Sequence, residues 1–351
     1  MPGYKYLPMV SIAVWVGFIL AEVLLMLTGF MNTYPESRYG FYQSAFTYNT
    51  KNVYNILTAS TPVTEDSPEF SYTYQVNSLG FTGGEWPQQP DSNTYRIITL
   101  GDSFTEGIGA PSDSAYPALL QNLLTENGLK VRVLNAGASG SDPVFGYKNL
   151  HDRLLRYKPD LVIQTISEND VLNDFGVKGG FERFKTDSTL QSHEQDKLEI
   201  IYAISHTSRI FLNIAGYNYK RPHCMGKEAD CIVDKNKILE DVVTRYSLLA
   251  EANNFKVLFV FYPTKYENTN AAYYFDFNPA KAYMAHKKQV SSYDLMPCYK
   301  NVFRNEQGYK GFYWNVDGHH NGDGYRVMAE CVANGIQEKG LLPIPATQSK
   351  Q

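Results

Sequence analysis

Ser103 stands in the run Gly101-Asp102-Ser103-Phe104-Thr105-Glu106-Gly107, directly after the apolar stretch Ile97-Ile98-Thr99-Leu100. That stretch reads as a buried strand, and the small residues and glycines after it turn the chain toward a helical segment near 116–127. A serine at such a turn sits at the carboxyl edge of a parallel sheet, where open α/β sheets hold their ligands. Its hydroxyl is a weak nucleophile until a base takes the proton, and acyl transfer also needs donors for the developing oxyanion. Base candidates stand far downstream, in Asp317-Gly318-His319-His320-Asn321-Gly322-Asp323-Gly324-Tyr325. His319 and His320 both qualify by type, and Asp317 is the residue type that orients an imidazole and stabilises its protonated form. Asp317, His319, His320 and Asp323 are also metal-ligating types, but a metal centre would leave the Gly-Asp-Ser run without a role.

Two further blocks lie between these ends: Asn135-Ala136-Gly137-Ala138-Ser139-Gly140 and Ser167-Glu168-Asn169-Asp170. In this order the four blocks resemble the SGNH (GDSL-type) serine hydrolase family, over residues 95–340. The resemblance implies Ser103 as nucleophile and as one oxyanion donor through its backbone N–H. It implies the backbone N–H of Gly140 and the side chain of Asn169 as the other donors, with Gly137 as the neighbouring glycine most easily confused with Gly140. The third block departs from the glycine-rich family form, because Ser167-Glu168 precedes Asn169 and brings an ionisable group to the site. In the last block an Asp-x-x-His register selects His320. The Asp-x-His-x-Asn register of similar sequences selects His319, accounts for Asn321 and Gly324 together, and is the one we favour. Asp317 is the expected orienting carboxylate; if the Asp-x-His register leaves it poorly placed, a backbone carbonyl does the orienting instead.

The elements that must position these blocks alternate. A strand at 131–135 leads to a helix at 143–157, and a strand at 160–166 carries the Asn169 block at its end. Helices are predicted over 198–214 and 237–253, a strand over 256–261 and a last helix over 327–339. Such alternation gives a mostly parallel sheet covered by helices on both faces. The expected fold class is therefore α/β, a three-layer α/β/α arrangement with a flavodoxin-like sheet. Segments 174–196 and 263–300 read as irregular loops or insertions over the site.

The chain has 351 residues, 43% of them hydrophobic and 19% charged, with a formal net charge of −4. That balance gives no electrostatic case for nucleic acid. The 27 tyrosines are numerous. Tyr and Phe crowd 39–48, 70–81 and 273–283, where they suit either packing or carbohydrate stacking. From Pro8 to Phe30 the one charged residue is Glu22. That length spans a hydrocarbon core as a helix, and Lys5 before it favours a cytoplasmic N-terminus. We read 8–30 as an uncleaved, single-pass signal anchor with the bulk of the chain on the outer, periplasmic or extracellular, side. A cleaved signal peptide is the alternative. Glu22 is costly in lipid and is expected to face a partner helix or an interface. The expected organisation is 1–30 cytoplasmic tip and anchor, 31–94 irregular segment packed on the main domain, 95–340 hydrolase-like domain and 341–351 tail. Four cysteines on the presumed outer side allow Cys224–Cys231 and Cys298–Cys331 as disulfides, or four buried thiols.

These readings converge on a serine esterase that needs neither cofactor nor metal and passes through an acyl-enzyme on Ser103. Compartment and family analogy point to an acyl ester, such as acetyl, on an envelope or extracellular glycan. A lipid ester, an acyltransferase that passes the same acyl group to a glycan hydroxyl, and a non-catalytic binding domain of the same fold remain open on the sequence alone.

Overall fold

The computed structural model describes residues 7–28, 57, 62–89, 91, 93–175, 179–184, 198, 201–202, 205–217, 234–303 and 311–343. Along the chain the elements are α1 (Leu7–Thr28), β1 (Pro62–Asp66), β2 (Ser71–Gln75), β3 (Tyr95–Gly101), α2 (Ser103–Glu106), α3 (Tyr116–Glu126), β4 (Val131–Gly137) and α4 (Pro143–Asn149). They continue with β5 (Leu161–Ile166), α5 (His206–Ile214), α6 (Lys235–Asn253), β6 (Lys256–Phe261), α7 (Lys265–Asn270), α8 (Asn278–Ala285), β7 (Val290–Asp294), α9 (Met296–Phe303) and α10 (Gly322–Glu338). The chain divides into two units, one of residues 1–44 and 191–233, the other of residues 45–190 and 234–351.

The larger unit is built on five parallel strands in the order β4-β3-β5-β6-β7. The chain leaves β3 for β4 on one side, then crosses to β5 on the other. This makes the carboxyl ends of β3 and β5 the topological switch point, where such sheets open a crevice. Successive residues of each central strand feed opposite cores. Ile98, Leu100, Val162, Ile166, Val257, Phe259 and Phe261 pack with α4, α6 and α8 through Val144, Leu239, Val243, Tyr246 and Met284. Ile97, Leu161, Ile163, Leu258 and Val260 pack on the other side with α3, α9 and α10 through Leu120, Tyr299, Met328 and Val332. The fold is therefore the three-layer α/β/α arrangement that the alternation implied. β1 and β2 form a separate antiparallel hairpin, turned by the Ser67 N–H donating to the Phe70 carbonyl at 2.8 Å.

Several expected elements differ. Residues 263–300 are not an irregular loop: they hold α7, α8, the fifth strand β7 and the start of α9. β7 is polar (Val-Ser-Ser-Tyr-Asp) and half-buried throughout, as a sheet edge allows, so it offers no apolar run to read. The helix expected over 143–157 is α-helical only to Asn149 and continues as a π-helical segment, Leu150–Leu154, and a 3-10 turn, Leu155–Tyr157. The helix expected over 198–214 is interrupted at Ser205, which is extended and caps α5 by accepting the Ser208 N–H at 3.1 Å. The last helix starts five residues early, at Gly322, because the Asn321 side chain caps it by accepting the Gly324 N–H. Cys298 in α9 and Cys331 in α10 form a disulfide with Cα atoms 5.9 Å apart. Cys224, Cys231, the aromatic run 39–48 and most of 174–196 lie outside the described residues.

In the smaller unit, α1 has Glu22 as its one charged residue, a mean hydropathy of 2.4 over Val10–Thr28, and the length to cross a membrane. Beside it, α5 packs Leu212 against Tyr202, Tyr217 and Leu198.

Candidate active site

The first turn of α2 presents Ser103. Asp102 is its N-cap, accepting the Phe104 N–H at 3.0 Å and the Tyr262 hydroxyl at 2.7 Å. Both bonds fix the turn, while burial pushes the Asp102 carboxyl up. Gly101 before it has φ +156°, and a Cβ there would strike the hydroxyls of Thr105 and Thr165. Only glycine fits between β3, α2 and β5 at that point.

The Ser103 Oγ lies 2.7 Å from His319 Nε2, and His319 Nδ1 lies 2.7 Å from Asp317 Oδ1. The same Asp317 oxygen accepts the His319 backbone N–H at 3.1 Å. A carboxylate only accepts, so neutral His319 carries its proton on Nδ1 and leaves Nε2 free to accept from the serine hydroxyl. The His319 hydrogen bond holds the Asp317 carboxyl below the usual carboxylate range. The ring of Phe104 packs against the imidazole with centroids 4.9 Å apart.

His320, one residue on, has the opposite environment. It is fully buried, its Nδ1 donating to the Phe312 carbonyl and its Nε2 accepting from the Tyr299 hydroxyl, each at 3.0 Å. Burial drives its pKa down to about 3, so it stays neutral and anchors the loop from inside. The geometry brings His319, not His320, to Ser103.

A residue outside the four sequence blocks holds this loop from the far side. The Glu69 carboxylate, on the β1–β2 turn, accepts the backbone N–H of Asn315 at 2.8 Å, Val316 at 2.7 Å and Asp317 at 2.8 Å. The Asp317 N–H, with those of Val316 and Asn315, holds this carboxyl below its usual range. No sequence signal marks Glu69, because its partners lie 246 to 248 positions away.

Of the expected oxyanion donors, Asn169 lines the cavity that opens at Ser103. Gly140 sits in the turn after β4 with φ +70° and is not among the residues lining that cavity. Gly137, its neighbour, serves close packing. A Cβ there would strike the backbone of Thr105 and Glu106, so β4 meets α2 with no side chain between them. Glu106 joins the same two segments. Its carboxylate accepts the N–H and the hydroxyl of Ser139 at 2.6 Å each, while burial raises its pKa to about 7. Glu106 stands in the serine block of the sequence, but nothing there marks its side chain as buried.

The cavity has a volume of about 550 Å³. One wall carries Asp317, Gly318 and His319; another carries Glu168, Asn169 and Leu172; a third carries Lys265, Tyr266, Glu267 and Tyr274. Glu168 and Glu267 are both buried, and among the described residues one oxygen of each finds no hydrogen-bond donor. Burial, reinforced by the adjoining Glu168 carboxyl, raises Glu267 to about 8. Near neutral pH the pair therefore keeps a proton, which relieves the repulsion of two buried carboxylates. The other Glu267 oxygen accepts the Thr264 N–H at 2.7 Å in a capping box that starts α7. That Thr-x-x-Glu spacing is a legible helix-start signal and would have located α7. Tyr266 and Tyr274, by contrast, are 73% and 68% exposed at the cavity wall.

A serine, an imidazole and a carboxylate aligned through two 2.7 Å contacts form the arrangement that makes a serine hydroxyl nucleophilic. The chain also resembles known proteins. Residues 99–327 match the GDSL-like Lipase/Acylhydrolase family. An arylesterase of Vibrio mimicus is 35% identical over 83 residues, 24% of this chain and 42% of that protein. Esterase TesA of Pseudomonas aeruginosa is 34% identical over 76 residues, 22% of this chain and 38% of that protein. The chain thus matches less than half the length of these curated relatives. Among solved structures, TesA aligns with 19% identity over 70% of this chain and 99% of that one, at a TM-score of 0.43. A two-domain esterase active on acetylated mannans aligns with 16% identity over 74% of this chain and 52% of that one, at a TM-score of 0.44.

Proposed function

Since the chain belongs to the GDSL-like lipase/acylhydrolase family, we propose that it is a serine esterase working through an acyl-enzyme on Ser103, with an acylated glycan as substrate. The observation that carries this reading is the Ser103 Oγ–His319 Nε2 contact of 2.7 Å, backed by Asp317. His319 takes the hydroxyl proton as Oγ attacks the ester carbonyl, and returns it to the departing alcohol. Asp317 holds the imidazole in register and stabilises its cationic form. The oxyanion is received by the Ser103 N–H, with the Gly140 N–H and the Asn169 amide as the further donors. Water then attacks the acyl carbonyl and gives its proton to His319, which passes it to Ser103 Oγ as the acyl–oxygen bond breaks, releasing the acid and restoring both the serine and the neutral imidazole.

The glycan half of the reading is supported by Tyr266 and Tyr274, which offer aromatic faces to solvent at the cavity wall. Sugar rings stack on such faces with their hydroxyls left free for polar neighbours. The outer-side location is supported by α1 as an anchor and by the Cys298–Cys331 bond, a linkage that persists in oxidising compartments. The test uses the full-length chain in detergent. A fluorophosphonate probe should label the parent, which should also turn over p-nitrophenyl acetate. Ser103→Ala should take no label and lose on the order of 10^3-fold or more in rate. Labelling that survives the substitution would overturn the proposal.

A further inference from the structure

We infer that α5 is an interfacial helix that lies in the surface layer of a phospholipid bilayer, pinned to the membrane span through Glu22. The inference rests on reading α1 as that span, and it concerns the smaller unit alone.

Glu22 is the one charged residue of a mostly apolar helix, and its carboxylate is fully engaged. It accepts the Ser205 hydroxyl at 3.0 Å, the His206 N–H at 2.5 Å, the His206 Nδ1–H at 2.9 Å and the Thr207 N–H at 3.0 Å. All four donors belong to the N-cap and first turn of α5, where unpaired backbone N–H groups and the helix dipole favour a negative charge. A carboxylate in lipid is otherwise costly, so this contact answers the need that Glu22 creates. Apart from Ala21, Glu22 and Leu25, residues 10–28 of α1 are exposed.

The position of that contact near the end of α1 points to the layer. Glu22 lies six residues before the end of α1 at Thr28, which at 1.5 Å per residue is about 9 Å below the helix end. Amphipathic helices in the interface bury their apolar face about 5–10 Å into the headgroup and acyl boundary. Three large apolar residues of α5 divide between two faces. Leu212 turns inward to Tyr202 and Tyr217. Phe211 and Ile214, one helical step of three apart, turn outward at 67% and 78% exposure. Two large apolar side chains left bare beside the C-terminal part of a membrane span are covered when the acyl boundary receives them.

The full-length chain in vesicles of phosphatidylethanolamine and phosphatidylglycerol, doped with a phospholipid carrying a diazirine on its acyl chain, tests this directly. After illumination, mass spectrometry should find lipid adducts on α1 and on the peptide containing Phe211 and Ile214. Glu22→Ala should keep the α1 adducts and lower those on α5 severalfold. Adducts on α1 with none on α5 would overturn the inference and leave the span reading intact, the face then belonging to a second copy or another protein. Adducts on neither would overturn both. Labelling of α5 that is indifferent to Glu22→Ala would overturn the pinning role of Glu22.

Discussion

On one wall of the Ser103 cavity Asp317 and His319 share a 2.7 Å contact at the edge of solvent; on another, Glu168 and Glu267 bring two largely buried carboxyls together. The first wall keeps its charge by pairing: Asp317 faces an imidazole, and Glu69 behind it faces three backbone N–H groups. The second keeps a proton instead. The difference follows from what each wall has to do. A base that shuttles protons has to reach the substrate and hold its orientation, so it is partly exposed and matched to a carboxylate. A wall that shapes a cavity gains from neutrality, because an unmatched buried charge costs far more than a protonated carboxyl.

Substitutions can break this comparison at its strongest point first. His319→Ala should lower kcat on the order of 10^3-fold with little change in melting temperature. His320→Ala should do the reverse, costing about 3 kcal/mol in stability while the surviving folded fraction keeps most of its activity. Active-site titration alongside urea unfolding separates the two, and the opposite ranking would exchange the roles assigned to these neighbours. Next in size is Glu69→Ala. Freed from three backbone donors, the loop would let Asp317 and His319 drift, and kcat should fall roughly ten- to a hundredfold with KM little changed. Equal activity in the variant would show that the loop holds its shape without Glu69.

The smallest effect sharpens the other wall. The folded-state pKa of Glu267, about 8, lies above that of an ordinary carboxyl, so the folded chain holds a proton that the unfolded chain releases. The associated stability is present in acid and is lost as pH rises toward and through about 8. Glu106, at about 7, contributes with the same sign. Melting temperature should therefore decline by a few degrees between about pH 6 and about pH 9, and Glu267→Gln should flatten the upper part of that decline. An unchanged slope in the variant would mean that the pair does not hold the proton.

Much of the frame was legible because burial writes itself into sequence. The central strands β3, β5 and β6 are covered on both faces and read as apolar runs, and β4 shows enough of one beside them. β7 sits at the sheet edge as Val-Ser-Ser-Tyr-Asp and leaves no such trace. The Ser103, Asn169 and His319 blocks were visible as short local runs. What joins them was not: Glu69 reaches a loop about 250 positions away, and Glu168 meets Glu267 across two separate strand ends. Contacts of that kind depend on the folded path, and a single sequence carries no local signal for them. Cys298 and Cys331 stand between these cases, since their number and compartment allowed the pairing but only the packing of α9 on α10 brings them together.

The tight seat beneath Ser103 bears on how such a protein can diversify. At Gly101 and Gly137 even a methyl group would collide with its surroundings, so lineages have almost no freedom to remodel the nucleophile's turn. Tyr266 and Tyr274 project into open solvent from a short surface helix and the loop after it, where replacements disturb little else. New acyl or alcohol preferences are thus expected to arise by exchange along that outer rim, with the reacting centre inherited unchanged.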